Sequence, residues 1–283
     1  MTRLFPSLRA AALVVASVLS GAACATVASD ATDGEERLSV VSNGEVIGRL
    51  VATTRGDTVE VDYHVDDNGR GPKHRETLRI GADGVPVEWT IAGASLMGGP
   101  VDERFAWRDG VATWRSQADH GERRVPRALP YIVNDGIPWA LGVYARALLR
   151  APGLRLDALP AGSLQLEPLR EVRIGEGAAA VATTAYRLTG VDLQPEYLLL
   201  DDAQRLFAQF STRRIVVRAG YEDARETIAA LASDLDMQRA EQLQQRLAHR
   251  HDGPLRIRNV RVFDPDALRL GPLVSVLVRD GRV

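Results

Sequence analysis

The chain has 283 residues, 45% hydrophobic and 25% charged, with a formal net charge of −2. That composition supplies a sizeable core in one to two domains and excludes disorder as the organising state. The near-neutral balance, with no polybasic run, excludes partners held by bulk charge: nucleic acid or an anionic membrane surface.

Residues 1–25 read as a secretory signal peptide. Arg3 and Arg9 precede an apolar run over 10–19, followed by Ser20, Gly21, Ala22 and Ala23. About ten apolar residues fall short of the roughly twenty that a membrane span needs. The small-x-small site Ala23-Cys24-Ala25 predicts a mature chain starting at Thr26, in the periplasm or secreted. Cys24 is the sole cysteine, so such a mature chain has no internal disulfide. A second reading makes Cys24 a lipidated first residue, but Gly21 stands where a lipoprotein signal carries an aliphatic residue.

After a polar tail over 26–36, apolar and polar residues alternate. Val59, Val61, Tyr63 and Val65 share one face of a strand over 58–65, and Glu60, Asp62 and His64 share the other. Similar segments lie at 38–42, 46–53, 76–80, 85–92, 103–107 and 111–116. Asn43-Gly44, Asn68-Gly69, Asp83-Gly84 and Asp109-Gly110 between them favour antiparallel hairpins. A helix over 139–150 enters through Pro138 and ends before Pro152. Strands resume at 164–174, 180–188, 197–200, 206–211 and 214–218. The expectation is a mainly β, α+β fold: a large curved antiparallel sheet over 37–220 with one or two packed helices.

From 221 to 252 the period changes. Ala224, Ile228, Leu231 and Leu235 recur at three-to-four spacing, and Leu243 and Leu247 continue it after a slip in phase. This predicts one or two helices packing a narrow face on the sheet, stopped by Gly253-Pro254. A further unit, 253–283, follows the boundary.

That last unit runs Leu255-Arg256-Ile257-Arg258-Asn259-Val260-Arg261-Val262-Phe263-Asp264-Pro265, then a loop, then Val274-Ser275-Val276-Leu277-Val278-Arg279-Asp280-Gly281-Arg282-Val283. It resembles the opening of amidohydrolase family proteins: a strand ending near an aspartate, a second strand and an Asp-Gly-Arg turn. The resemblance implies the first strands of a small β-sandwich, with a metal-binding barrel to follow that carries a His-x-His pair. It further implies zinc or another divalent metal and hydrolysis of non-peptide carbon–nitrogen bonds in a full-length relative. On that reading the chain stops before the metal site, is inactive alone and has the missing catalytic barrel as its partner.

No residue is assigned a catalytic, cofactor-binding or metal-binding role. His249-Arg250-His251 copies His-x-His, but at a helix end side chains two apart diverge by roughly 200°. Glu60, Asp62 and His64 read as a solvent face before they read as a metal site. Asp119-His120-Gly121 reads as a turn. With Ser95 or Ser116 it makes no serine-hydrolase signature, because Gly93-Ala94-Ser95-Leu96-Met97 fails the nucleophile-elbow pattern at its last position. Gly175-Glu176-Gly177 lacks the lysine of a phosphate loop and reads as a hairpin connection. Trp89, Trp107, Trp114 and Trp139 suit core packing, or the wall of an apolar pocket where a helix closes a curved sheet. Hence the alternative function: a periplasmic binding or scaffold protein whose sheet cradles a small apolar ligand.

Overall fold

A computed structural model describes residues 33–249 and 251–283. The signal-peptide reading of residues 1–25, with Cys24 and Thr26, lies outside the described residues, as does Arg250.

The first half of the chain is a meander of strands β1 (Gly34–Ser42), β2 (Glu45–Arg55), β3 (Thr58–Val65), β4 (Lys73–Ile80), β5 (Pro86–Ala94), β6 (Pro100–Arg108), β7 (Val111–Arg115) and β8 (His120–Arg124). Turn chemistry sets its register. Asn43-Gly44 and Asp109-Gly110 each place two successive residues at positive φ, as two-residue hairpins of matching twist require. Helix α1 (Pro138–Leu149) follows. A second meander comprises β9 (Arg155–Asp157), β10 (Ser163–Ile174), β11 (Val181–Thr189), β12 (Glu196–Asp201), β13 (Leu206–Phe210) and β14 (Arg214–Arg218). β1 pairs antiparallel with β14, Val40 opposite Val216, which joins the two meanders into one fourteen-stranded sheet.

The sheet curls around α1. Trp139, Ala140, Leu141, Gly142, Val143, Tyr144, Ala145, Ala147 and Leu148 are all buried, so the helix is covered on every side. Its partners come from both meanders, Leu50, Val61, Leu78 and Trp89 from one and Leu164, Leu198, Leu200 and Leu206 from the other. Gly142 allows the close approach: a Cβ there would sit 3.1 Å from Cβ of Leu206.

On the outer face of the second meander lies α2 (Arg225–Leu247), entered through a 3₁₀ turn at Glu222–Ala224. Ile228, Leu231, Ala232 and Leu235 bury themselves on Tyr197, Leu199, Phe207 and Val217. The three-to-four spacing therefore marks one continuous helix with a narrow buried face. β12 is covered by α1 on one side and α2 on the other, and Tyr197 to Asp201 are buried throughout.

Two expectations need correction. The polar tail assigned to 26–36 ends earlier, because β1 starts at Gly34. Asp119-His120-Gly121 is not a turn: His120 opens β8, whose charged sequence HGERR carries no apolar alternation and is held by backbone pairing to β7. β9, three residues long, went unforeseen for want of a pattern.

The C-terminal residues form a separate two-stranded sheet, β15 (Leu255–Asp264) with β16 (Arg269–Val278), interrupted by two register shifts. Asp280-Gly281 makes its turn, closed by hydrogen bonds between Arg279 and Arg282. The pair is not part of the fourteen-stranded sheet, and a two-stranded sheet by itself does not support an amidohydrolase-type opening.

Candidate functional site

The inner face of β3–β6 departs from an apolar lining. Successive inward residues of β4 are His74, Glu76 and Leu78, all buried. Across the strands, Leu50, Tyr63, His74, Gly93 and Val101 form one row, and Ala52, Val61, Glu76, Ile91 and Glu103 the next. Two carboxyl groups thus flank Ile91, with backbones roughly 10 Å apart. Gly93 fits its row because it has no side chain: at φ 149°, a Cβ would meet the carbonyl oxygen of Lys73 at 1.9 Å.

The two carboxyls have different work. Glu103 is fully satisfied: the Tyr131 hydroxyl donates to Oε1 at 2.7 Å, the Asn134 N–H to Oε1 at 2.8 Å and the Asp135 N–H to Oε2 at 2.9 Å. It pins the loop that leads into α1, and Tyr131 stacks on Phe105 at 4.8 Å. Glu76 accepts one bond, from Trp89 Nε1 at 2.9 Å, and its Oε1 has no partner among the described residues. Burial pushes its carboxyl up to about 8; the Trp89 bond opposes this and the charge of Glu103 adds to it. Glu76 is therefore a protonated acid at neutral pH.

His74 stands above Glu76. Its side chain is covered, yet neither Nδ1 nor Nε2 finds a hydrogen-bond partner among the described residues. Burial lowers its pKa, opposed by the charge of Asp135 and by the nearby backbone of Ala94, which lies outside hydrogen-bond geometry, and this favours the neutral imidazole. Tyr63 meets it edge-on, ring centroids 6.4 Å apart.

His74 lines a cavity of about 550 Å³ between the sheet and the first turns of α1. Its apolar wall comes from Tyr63, Leu96, Val133, Ile137, Leu141 and Tyr144. Tyr144 spends its hydroxyl elsewhere, donating to the Tyr131 carbonyl and accepting from the Val133 N–H, and so contributes only its ring. Asp135, Asp192, Glu196 and Arg214 also line the cavity. The volume is that of a small-molecule site, and the wall is mixed: Ser95, Asn134 and Gln209 join the charged groups beside the apolar side chains.

The sequence-selected residues fare differently. Ser95 lines the cavity with His74 and Asp135, but His74 bonds to neither, so no nucleophile–base relay is assembled. Asp119 and His120 sit apart from it: Asp119 accepts from Trp114 Nε1, and Ser116 serves the same turn. Glu60 pairs with Arg55 and Asp62 with Arg75 on the outer face. No group of three or more His, Cys, Asp or Glu suited to a metal exists among the described residues. Gly175-Glu176-Gly177 connects β10 to β11. Trp89 is core and a partner of Glu76, Trp107 and Trp114 are half-buried, and Trp139 lines a second cavity on another face of α1. His74, Glu76 and Glu103 went unselected, although stepping back by two from Leu78 and from Phe105 reaches all three.

No protein-family model matches the chain, and no curated protein matches it. Among solved structures, it is similar to a β-barrel-like protein of domain of unknown function DUF1849 from Brucella abortus, at 8% identity and a TM-score of 0.40 over 65% of this chain and 94% of that one. None of these findings is an amidohydrolase, which corrects the family resemblance drawn from residues 255–283.

Proposed function

We propose that this protein is an exported binding protein that holds a small, largely apolar molecule between the concave sheet and α1, with His74 hydrogen-bonding the ligand's polar end. One observation carries the reading: His74, whose buried imidazole nitrogens have no partner among the described residues, belongs to the wall of a cavity of ligand size. An unsatisfied buried polar group costs about 1–3 kcal/mol, and a ligand that bonds to it recovers part of that cost. The neutral imidazole offers one donor and one acceptor, which suits a hydroxyl or amide better than a carboxylate. Asp135, Asp192 and Glu196 against Arg214 further disfavour an anionic head.

Titration with the neutral apolar dye Nile red tests the reading. The expected result is saturable fluorescence enhancement, abolished by Leu141→Trp, which fills the cavity. Enhancement unchanged by Leu141→Trp would place the dye elsewhere and overturn the assignment.

A further inference from the structure

Helix α1 divides the concavity, and a second cavity of about 370 Å³ runs along another of its faces. The first cavity meets the end of β3 and the start of β4; the second meets the start of β3 at Val59 and the end of β4 at Ile80. The residues of α1 that face the second are Trp139, Val143 and Arg146, with Arg150 just beyond the helix, at steps of four, three and four. The guanidinium of Arg146 lies over the Trp139 ring, 5.1 Å from its centroid.

The donors here lack acceptors. Arg146 and Arg150 make no side-chain hydrogen bond or ion pair among the described residues, whereas Arg205 and Arg218 nearby are both committed to Asp201, at 3.0 and 2.7 Å. Trp139 Nε1 is buried without a partner. Glu36 is the nearby carboxyl of the inner wall, and it too forms no ion pair. Burial raises its pKa against the attraction of Arg146, Arg205 and Arg218, and burial lowers that of Arg146 against the attraction of Glu36. Asp33, Glu35 and Asp57 line the cavity as well, and Glu35 is bonded to Arg37.

We infer that this second cavity is an oxyanion site, in which Arg146, backed by Trp139 and flanked by Arg150, receives a carboxylate or phosphate whose apolar body lies against Val59, Ile80 and Val143. A planar guanidinium stacked on an aromatic face keeps its N–H edge free for a bidentate acceptor. An unpaired, half-buried cation is costly, and an entering oxyanion relieves that cost. Glu36 competes for the same guanidinium, so the site is self-limited by its own wall. This site is independent of the His74 cavity.

The test is calorimetric titration of the full chain with benzoate, inorganic phosphate and the neutral isostere benzamide. Benzoate or phosphate is expected to bind and benzamide not. Arg146→Met should weaken binding at least about tenfold, the scale of one lost charge-assisted pair. Met keeps the unbranched apolar stem and removes the charge, so this variant should remain folded; its melting point checks that. Glu36→Gln should tighten binding by removing the competitor. The inference is overturned if neither anion binds wild type or Glu36→Gln, if benzamide binds as well as benzoate, or if Glu36→Gln weakens binding. Loss of Nile red binding with anion binding intact would refute the proposed function alone.

Discussion

The two sides of the sheet's centre are built on opposite terms. Around β12–β14, α1 and α2 sandwich the strands, and Leu198, Leu199, Leu200, Phe207 and Val217 are buried with apolar neighbours on both faces. Across β3–β6 the concave face holds His74, Glu76 and Glu103, and the outer face is solvent-exposed. Each fully buried aliphatic or aromatic side chain stabilises by about 1.5–3 kcal/mol, whereas an unsatisfied buried polar group costs about as much. The first region holds the fold, and the second gives up stability at the wall of the proposed binding site.

The largest effect that sharpens this contrast is Phe207→Ala. The ring is buried and packs edge-on against Tyr221 with centroids 5.0 Å apart, so truncation should cost about 3–5 kcal/mol in urea unfolding. An effect below about 1 kcal/mol would break the comparison.

Next comes Glu103→Ala, which orphans the Tyr131 hydroxyl and the N–H groups of Asn134 and Asp135. A loss of about 3 kcal/mol is expected, with faster amide exchange concentrated at residues 131–135. Uniform exchange across the chain would deny Glu103 its role in fixing that loop.

Glu76 gives a signed pH dependence. Its folded pKa, about 8, lies above the unfolded value near 4.5, so the folded state binds the extra proton between them. Stability is then fully present below the unfolded pKa and falls as pH rises towards 8, with a slope of about 1.4 kcal/mol per pH unit from this group. Glu76→Gln should flatten that slope between pH 5 and 8 by about that amount. An unchanged slope would mean that Glu76 is ionised in the fold.

The smallest stability effect belongs to His74→Leu. Removing two unpartnered nitrogens should leave stability within about 1 kcal/mol of wild type, or raise it, while ligand affinity falls. A loss as large as that of Glu103→Ala would make His74 a structural residue.

The strands were legible because their outer faces are wet: in 58–65 the alternation of Val59, Val61 and Tyr63 with Glu60 and Asp62 reads directly as one buried face. Helix α1 was legible from Pro138 and Pro152 rather than from periodicity, since a helix buried on all sides has no polar face to mark. The pairing of β1 with β14 joins residues nearly two hundred apart, and no local signal encodes it. The site was obscured for a different reason. His74, Glu76 and Glu103 are polar residues at inward positions, and a reading that equates polar with outward shortens β4 to 76–80 and β6 to 103–107 instead of placing those side chains inside. The likeness of 255–283 to an enzyme opening rested on short strands and an Asp-Gly turn, which many hairpins share.

Native mass spectrometry of the full chain tests the central claim most directly. The account predicts a small-molecule adduct on the wild type that is lost in Leu141→Trp and weakened in His74→Leu. A wild type that carries no adduct and takes up none from neutral amphiphiles, or an adduct retained equally by both variants, would contradict it.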